Sequence, residues 1–157
     1  MLIFASIIYA LAMTLANLSI AYFGPASIPV NAFVLIGLDL ALRDWIGVRL
    51  KPSQMVALIT ISGCITYGMN ADAGKFAVAS AVAFTAAALA DWAAFVRIPG
   101  PWFVRSNGSN VAGALVDSVV FPALAFGGLD PAIVAQMFVA KVLGGFVWAS
   151  IISVKEK

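Results

Sequence analysis

The chain contains no histidine and a single cysteine, Cys64, among its 157 residues. Without histidine it has neither Ser/His nor Cys/His catalysis, none of the common zinc ligand sets and no histidine proton relay. One cysteine makes neither a disulfide framework nor a cysteine metal cluster, so Cys64 is interpreted as a packing residue. These absences leave carboxylate, amide and lysine side chains as the main candidates for function.

Charged residues are also scarce, at 10% of the chain against 63% hydrophobic residues. Soluble domains have about 25% charged and roughly 45–50% apolar residues. The composition therefore predicts an integral membrane protein in contact with the lipid bilayer. The net charge of +2 is too small to indicate a nucleic-acid partner, and the basic residues form no continuous stripe.

Apolar stretches long enough to cross a bilayer alternate with short breaks that contain Gly, Pro or Asn, such as Asn70 to Gly74. They predict an all-α membrane protein in which residues 1–157 form a single domain, a bundle of six transmembrane helices. The spans are predicted at residues 2–22, 27–43, 53–70, 75–96, 109–128 and 131–153. No basic residue precedes the first span and no convincing cleavage site follows it, which favours a retained helix over a signal peptide.

Basic residues concentrate in alternate connections. The second-to-third connection, the fourth-to-fifth connection and the C-terminus hold Arg43, Arg49, Lys51, Arg97, Arg105, Lys155 and Lys157. The other connections offer only Lys75. By the positive-inside rule both termini are predicted to be cytoplasmic, with Trp45 and Trp102 as interfacial anchors.

A faint internal repeat aligns polar residues of the two halves. Asn17, Asn31, Asp39 and Gln54 correspond in order to Asp91, Asn110, Asp117 and Gln136. Halves of three spans each would insert with opposite orientations, which is the inverted-repeat plan of many secondary transporters. Chance matching in a chain of such limited composition is the alternative explanation.

Four charged residues lie inside predicted spans: Asp39, Asp91, Asp117 and Lys141. One charge at the centre of a membrane helix costs about 2.5–3.5 kcal/mol on insertion scales, so such residues line a solute or ion path or pair with one another. Asp117 and Lys141 lie deepest, eight to ten residues into their spans, near the predicted midplane. The four residues predict a polar cavity inside the bundle.

Most of these polar residues also have a purely structural explanation. Asp39 and Arg43 are four residues apart and can form a local ion pair, and Asp117 with Lys141 can be a buried pair that joins two helices. Asn110 shares a helix face with Asp117 and can make a helix–helix hydrogen bond. Asp91 has no basic residue within a turn, which makes it the aspartate least easily explained by local pairing.

The order of these residues along the chain resembles that of the queuosine precursor transporters, also called the vitamin uptake transporter family. The resemblance covers residues 17–145 and rests on Ile36 to Arg43, Ala90-Asp91-Trp92 with Phe95 and Arg97, Ser109 to Ser118 with Phe121 and Ala125-Phe126, and Lys141-Val142. It implies a six-helix inner-membrane carrier that imports 7-cyano-7-deazaguanine or its aminomethyl relative.

A deazaguanine suits the available side chains. Its ring N–H and exocyclic amine can donate two parallel hydrogen bonds to a carboxylate, while amides or an ammonium can donate to its carbonyl oxygen. The predicted substrate-binding residues are Asn17, Asp39, Asp91, Asn110, Asp117 and Lys141, and the predicted stacking residues are Phe84, Trp92 and Phe121. Sequence does not choose among the three carboxylates, one of which can instead carry a proton for energy coupling.

Three classes of function follow. The leading hypothesis is a solute carrier, and the second is a substrate-binding membrane subunit of a larger uptake complex for a vitamin or nucleobase. The third, an intramembrane enzyme, is the weakest because histidine is absent and the aspartates lie on separate helices. No cofactor or metal is expected, and six short helices make a small bundle for a solute path, which is compatible with a homodimer.

Overall fold

The computed structural model describes residues 1–69 and 71–154, and this part of the chain is helical without a strand. The α-helices are α1 (Leu2–Phe23), α2 (Ile28–Asn31), α3 (Gly37–Gly47), α4 (Pro52–Met69), α5 (Ala71–Phe95), α6 (Trp102–Phe126) and α7 (Pro131–Val154). A 3₁₀ turn, Gly24–Ser27, joins α1 to α2, and a π-helical stretch, Ala32–Ile36, joins α2 to α3. Asn70, Lys155 and Lys157, which entered the predictions of breaks and orientation, lie outside the described residues.

Glycine and proline set several of the helix ends. Gly24 ends α1 at φ 66°, a backbone angle that favours glycine, and Pro25 follows it in the 3₁₀ turn. Gly127 ends α6 in the left-handed conformation at φ 73°. Pro101, extended at φ −67°, precedes the first residue of α6.

Two predicted span boundaries were wrong. The fifth span was placed at residue 109, but α6 begins at Trp102, because polar residues of its first turns lower the local hydropathy although they are helical and Ser106 is buried. The second span was ended at residue 43, but α3 continues to Gly47 and buries Arg43 and Asp44 inside the protein.

Within the described residues, four helical segments are long and apolar enough to cross a membrane: Leu2–Gly47, Ala73–Phe95, Trp102–Phe126 and Pro131–Ser153. The prediction of an all-α membrane protein is confirmed. A crossing needs about 20 residues, so the 46-residue first segment is long enough for two, and it breaks at Gly24. The number of six spans stays a prediction.

Two apolar clusters occupy opposite ends of the helices. One contains Ala5, Tyr9, Met13, Leu42, Ile46, Ile59 and Phe84. The other contains Ile20, Ile28, Phe76, Ala79, Ala83, Phe121 and Met137. At the first end the Ser106 hydroxyl donates a 2.5 Å hydrogen bond to Asp44 Oδ2, which joins the end of α3 to the start of α6. We call this the basic end, because Arg49, Lys51 and Arg105 lie on the connections there or next to them.

Backbone-to-backbone contact holds α3 and the π-helical stretch against α7. A Cβ on Gly37 would lie 2.6 Å from the carbonyl carbon of Gly144, a distance that real Cβ atoms do not reach. The Trp148 indole also donates to the backbone carbonyl of Val34 at 3.1 Å. These contacts fix the position of the helix that carries Asp39.

Gly37→Ala is expected to destabilise the protein by about 1–3 kcal/mol, because the added methyl group forces two packed backbones apart. The measurement is thermal unfolding of the purified variant in detergent. Gly63→Ala is the matched control, since a Cβ there meets no atom within 4 Å and alanine favours helix. Equal melting temperatures for Gly37→Ala and Gly63→Ala would show that the close approach of α3 to α7 is not required.

Candidate functional site

A cavity lined by a mixture of apolar and polar side chains lies between the two apolar clusters. Its polar and aromatic lining comes from α1, α2, α3, α5, α6 and α7: Asn17, Asn31, Asp39, Arg43, Ser80, Phe84, Asp117, Phe121 and Lys141. The volume inside the cavity that the centre of a water molecule can occupy is about 50 Å³. We call it the polar cavity. It brings together four of the six predicted substrate-binding residues: Asn17, Asp39, Asp117 and Lys141.

Asn17 is held by a serine that sequence reasoning did not single out. The Ser80 hydroxyl on α5 donates a 2.6 Å hydrogen bond to Asn17 Oδ1 on α1. Asn17 Nδ2 is buried and has no hydrogen-bond partner among the described residues. The Ser80 bond therefore leaves the amide N–H₂ of Asn17 as a free donor in a residue that lines the polar cavity.

Asp39 supplies a free acceptor. Its side chain is only 4% exposed, and Oδ1 has no hydrogen-bond partner within the described residues. The alternative of a local ion pair with Arg43 is not what the geometry favours, because Arg43 Nη2 makes its ion pair with Asp91 Oδ2 at 3.7 Å. An unsatisfied buried carboxylate oxygen costs at least about 1–3 kcal/mol, which makes Asp39 a strong candidate for contact with a solute.

Lys141 and Asp117 form the predicted pair. Lys141 Nζ on α7 donates directly to Asp117 Oδ2 on α6, and the lysine side chain is 1% exposed. Each charge offsets the other inside the protein, so neither is left isolated in an apolar environment. Both residues line the polar cavity, where the pair joins two helices and also borders the space for a solute.

Asp91 lies elsewhere. Together with Arg43 and Asp44 it lines a second and larger space between α4 and α5 at the basic end, which we call the basic-end groove. Sequence reasoning missed Asp44, because its position directly after Arg43 suggested a membrane-surface loop, whereas α3 continues through it and buries it. The positive charge that pairs with Asp91 is that of Arg43, which lies on another helix. The spacing of residues along the chain therefore could not predict this pair.

Asn110 is buried between α6 and α7 and does not line either space. Its Nδ2 lies 3.6 Å from where a Cβ on Gly145 would be. Neither amide atom of Asn110 has a hydrogen-bond partner within residues 1–69 and 71–154, so the helix–helix hydrogen bond is not formed there. Its assignment to the substrate site stays a prediction.

The aromatic candidates lie along both spaces. Phe84 and Phe121 line the polar cavity and are almost fully buried, and Phe84 also borders the basic-end groove. Trp92 borders only the groove and is 64% exposed. Phe84 also packs edge-on against Tyr9, with ring centroids 5.9 Å apart. Among the described residues, no group of three or more His, Cys, Asp or Glu side chains is arranged to hold a metal ion.

Long apolar helices surround a small cavity whose largely apolar lining includes charged and amide side chains. Together they define a membrane protein with an internal polar site. The model of the family described as "Putative vitamin uptake transporter" matches residues 1–155. The chain therefore belongs to this family, whose description is that of a transporter. Neither a curated protein nor a solved structure matches the chain.

Proposed function

We propose that the protein imports a 7-deazaguanine, either 7-cyano-7-deazaguanine or its aminomethyl relative, and that the polar cavity is the substrate site. The observation that carries this proposal is the pair of free groups in the cavity wall, the Asn17 amide N–H₂ and the Asp39 carboxylate oxygen. One is a donor and the other an acceptor, which matches a nucleobase that carries N–H groups beside a carbonyl.

In the proposed complex, Asp39 accepts two hydrogen bonds from the ring N–H and the exocyclic amine of the deazaguanine. Asn17 donates to its carbonyl oxygen, in the orientation that Ser80 imposes. Phe84 and Phe121 pack against the planar ring, since aromatic faces bind flat ligands by stacking. The bonds satisfy Asp39 Oδ1 and Asn17 Nδ2, which otherwise remain buried and unpaired, and this favours binding.

The cavity must widen to receive such a ligand. One water molecule needs roughly 10–15 Å³ of volume that its centre can occupy. The cavity offers about 50 Å³ by this measure, which holds a few water molecules but not a bicyclic ring. The 3₁₀ turn at Gly24–Ser27 and the π-helical stretch at Ala32–Ile36 flank the cavity wall. Irregular helix at a central site is typical of carriers that change shape as they transport.

We also propose the six-span bundle of two inverted halves, in the inner membrane with both termini in the cytoplasm. The repeat is supported by Asp39 and Asp117, which align in the two halves and both line the polar cavity. The orientation is supported by Arg49, Lys51 and Arg105, which cluster at the basic end.

A binding screen tests the proposed substrate class. The purified protein is heated in detergent with 7-cyano-7-deazaguanine, its aminomethyl relative, guanine or common vitamins. A ligand at a hundredfold excess over its dissociation constant stabilises the folded state by about 2.7 kcal/mol, so a deazaguanine is expected to raise the melting temperature by several degrees. Stabilisation by a vitamin and not by either deazaguanine would contradict the proposal.

A further inference from the structure

The polar cavity and the basic-end groove share two lining residues, Arg43 and Phe84. The Arg43 guanidinium lies 5.2 Å from the centroid of the Phe84 ring, and its Nη2 lies 3.7 Å from Asp91 Oδ2. Asp91 lines the groove but not the cavity. The ion pair and the ring therefore stand between the two spaces.

We propose that the Arg43–Asp91 pair, together with Phe84, is the partition that closes the polar cavity toward the basic end, and that solute passes through the basic-end groove when the pair separates. This inference goes beyond the proposed function, because it concerns the path of the solute and not its identity. It holds for any solute that occupies the polar cavity.

The pair is suited to opening because it is loosely made. Arg43 Nε and Nη2 and Asp91 Oδ1 are buried without hydrogen-bond partners among the described residues. Two buried charges at 3.7 Å that leave these groups unpaired recover only part of their desolvation cost, so the pair is held less firmly than a directly hydrogen-bonded one. The Lys141–Asp117 pair differs, because it is directly hydrogen-bonded.

Helix α6 provides the surface on which this pair rests. A Cβ on Gly113 would lie 3.2 Å from the Asp91 Cβ and 3.3 Å from Arg43 Nη2. The absence of a side chain at Gly113 thus lets α6 approach both members. At the other end of the cavity lies the apolar cluster that includes Ile28, Phe121 and Met137.

The groove beyond the pair is large enough for a solute. The space open to the centre of a water molecule there is about 460 Å³, against about 50 Å³ in the polar cavity. Its walls are mainly apolar, with polar groups from Asp44 and Arg105 near its basic end. A planar, partly polar ring can pack against the apolar walls of the groove and bind its polar groups.

Thiol labelling tests the partition without reference to any solute. The parent variant carries Cys64→Ser and Ala16→Cys, which places one small thiol at a buried position that lines the polar cavity. A membrane-impermeant methanethiosulfonate reagent is applied to either face of the membrane. A separate variant, Lys51→Cys with Cys64→Ser, shows from which face the basic end is labelled. Asp91→Asn and Asp91→Glu are then added separately to the parent.

Asp91→Asn is expected to raise the labelling rate from the basic end about tenfold and to leave the rate from the opposite end unchanged. Asp91→Glu, which keeps the charge, is expected to label at the parent rate. An unchanged rate in Asp91→Asn overturns the proposal, as does an equal rise from both ends or a rise in Asp91→Glu that matches that of Asp91→Asn. A failure of deazaguanine to bind would contradict the proposed substrate and not this result.

Discussion

Asp39→Asn is expected to weaken 7-deazaguanine binding by about a hundredfold. The substitution keeps the shape of the side chain but replaces a charged acceptor by an amide, whose N–H₂ faces the N–H groups of the ligand. A hydrogen bond to a charged group contributes about 1.5–3 kcal/mol, and two such bonds are weakened here. Isothermal titration of the purified variant with 7-cyano-7-deazaguanine measures the change.

Asp130→Asn is the matched control for the loss of a carboxylate. Asp130 lies before α7, where its Oδ1 accepts a 2.8 Å hydrogen bond from the Ala132 N–H, and asparagine can keep that bond. Its affinity for the ligand is expected to equal that of the unmodified protein. If Asp39→Asn also binds with unchanged affinity, Asp39 is not the carboxylate that holds the substrate.

Lys141→Met is expected to destabilise the protein by about 3–5 kcal/mol. It removes one member of a buried ion pair and leaves Asp117 as an uncompensated charge inside the helices. Methionine is similar in length and apolar, so the loss of charge and not of packing volume is what the variant measures. Thermal unfolding in detergent reports the change in stability.

The double variant Lys141→Met with Asp117→Asn separates pairing from other effects. With both charges removed, no unpaired ion remains, so the double variant is expected to recover most of the stability that Lys141→Met loses. A double variant as unstable as the sum of both single variants would show that the two residues contribute independently. In that case the ion pair does not hold α6 and α7 together.

Much of the helical order was predictable because apolar length is a local property. The start of α7 at Pro131, for example, follows directly from Gly127-Gly128 and a proline. The start of α6 was not predictable from hydropathy, since Ser106 and its polar neighbours resemble a loop. In the folded protein Ser106 donates a hydrogen bond to Asp44, which is 62 positions away in the chain, so its burial in a helix is a tertiary contact.

Of the Lys141–Asp117 and Arg43–Asp91 ion pairs, the first was predictable from the sequence and the second was not. Lys141 and Asp117 were predicted as partners because both lie deep in neighbouring predicted spans, where few other charges exist. Arg43 has Asp39 one turn away, so spacing favoured that pair, yet helix packing brings Asp91 to Arg43 instead. Asp39, which the sequence predicted to pair with Arg43, is therefore the aspartate with an unpaired oxygen in the cavity wall. Asp91, for which the sequence offered no partner, forms the ion pair.

Uptake into liposomes tests the central claim most directly. The purified chain, with no other protein, is reconstituted into sealed vesicles, and entry of radiolabelled 7-cyano-7-deazaguanine is followed over time. The account predicts uptake above that of protein-free vesicles, with Asp39→Asn reduced to the background and Asp130→Asn unchanged. Protein that binds the deazaguanine but transports none would contradict a carrier that acts alone and would favour the substrate-binding subunit of a larger complex.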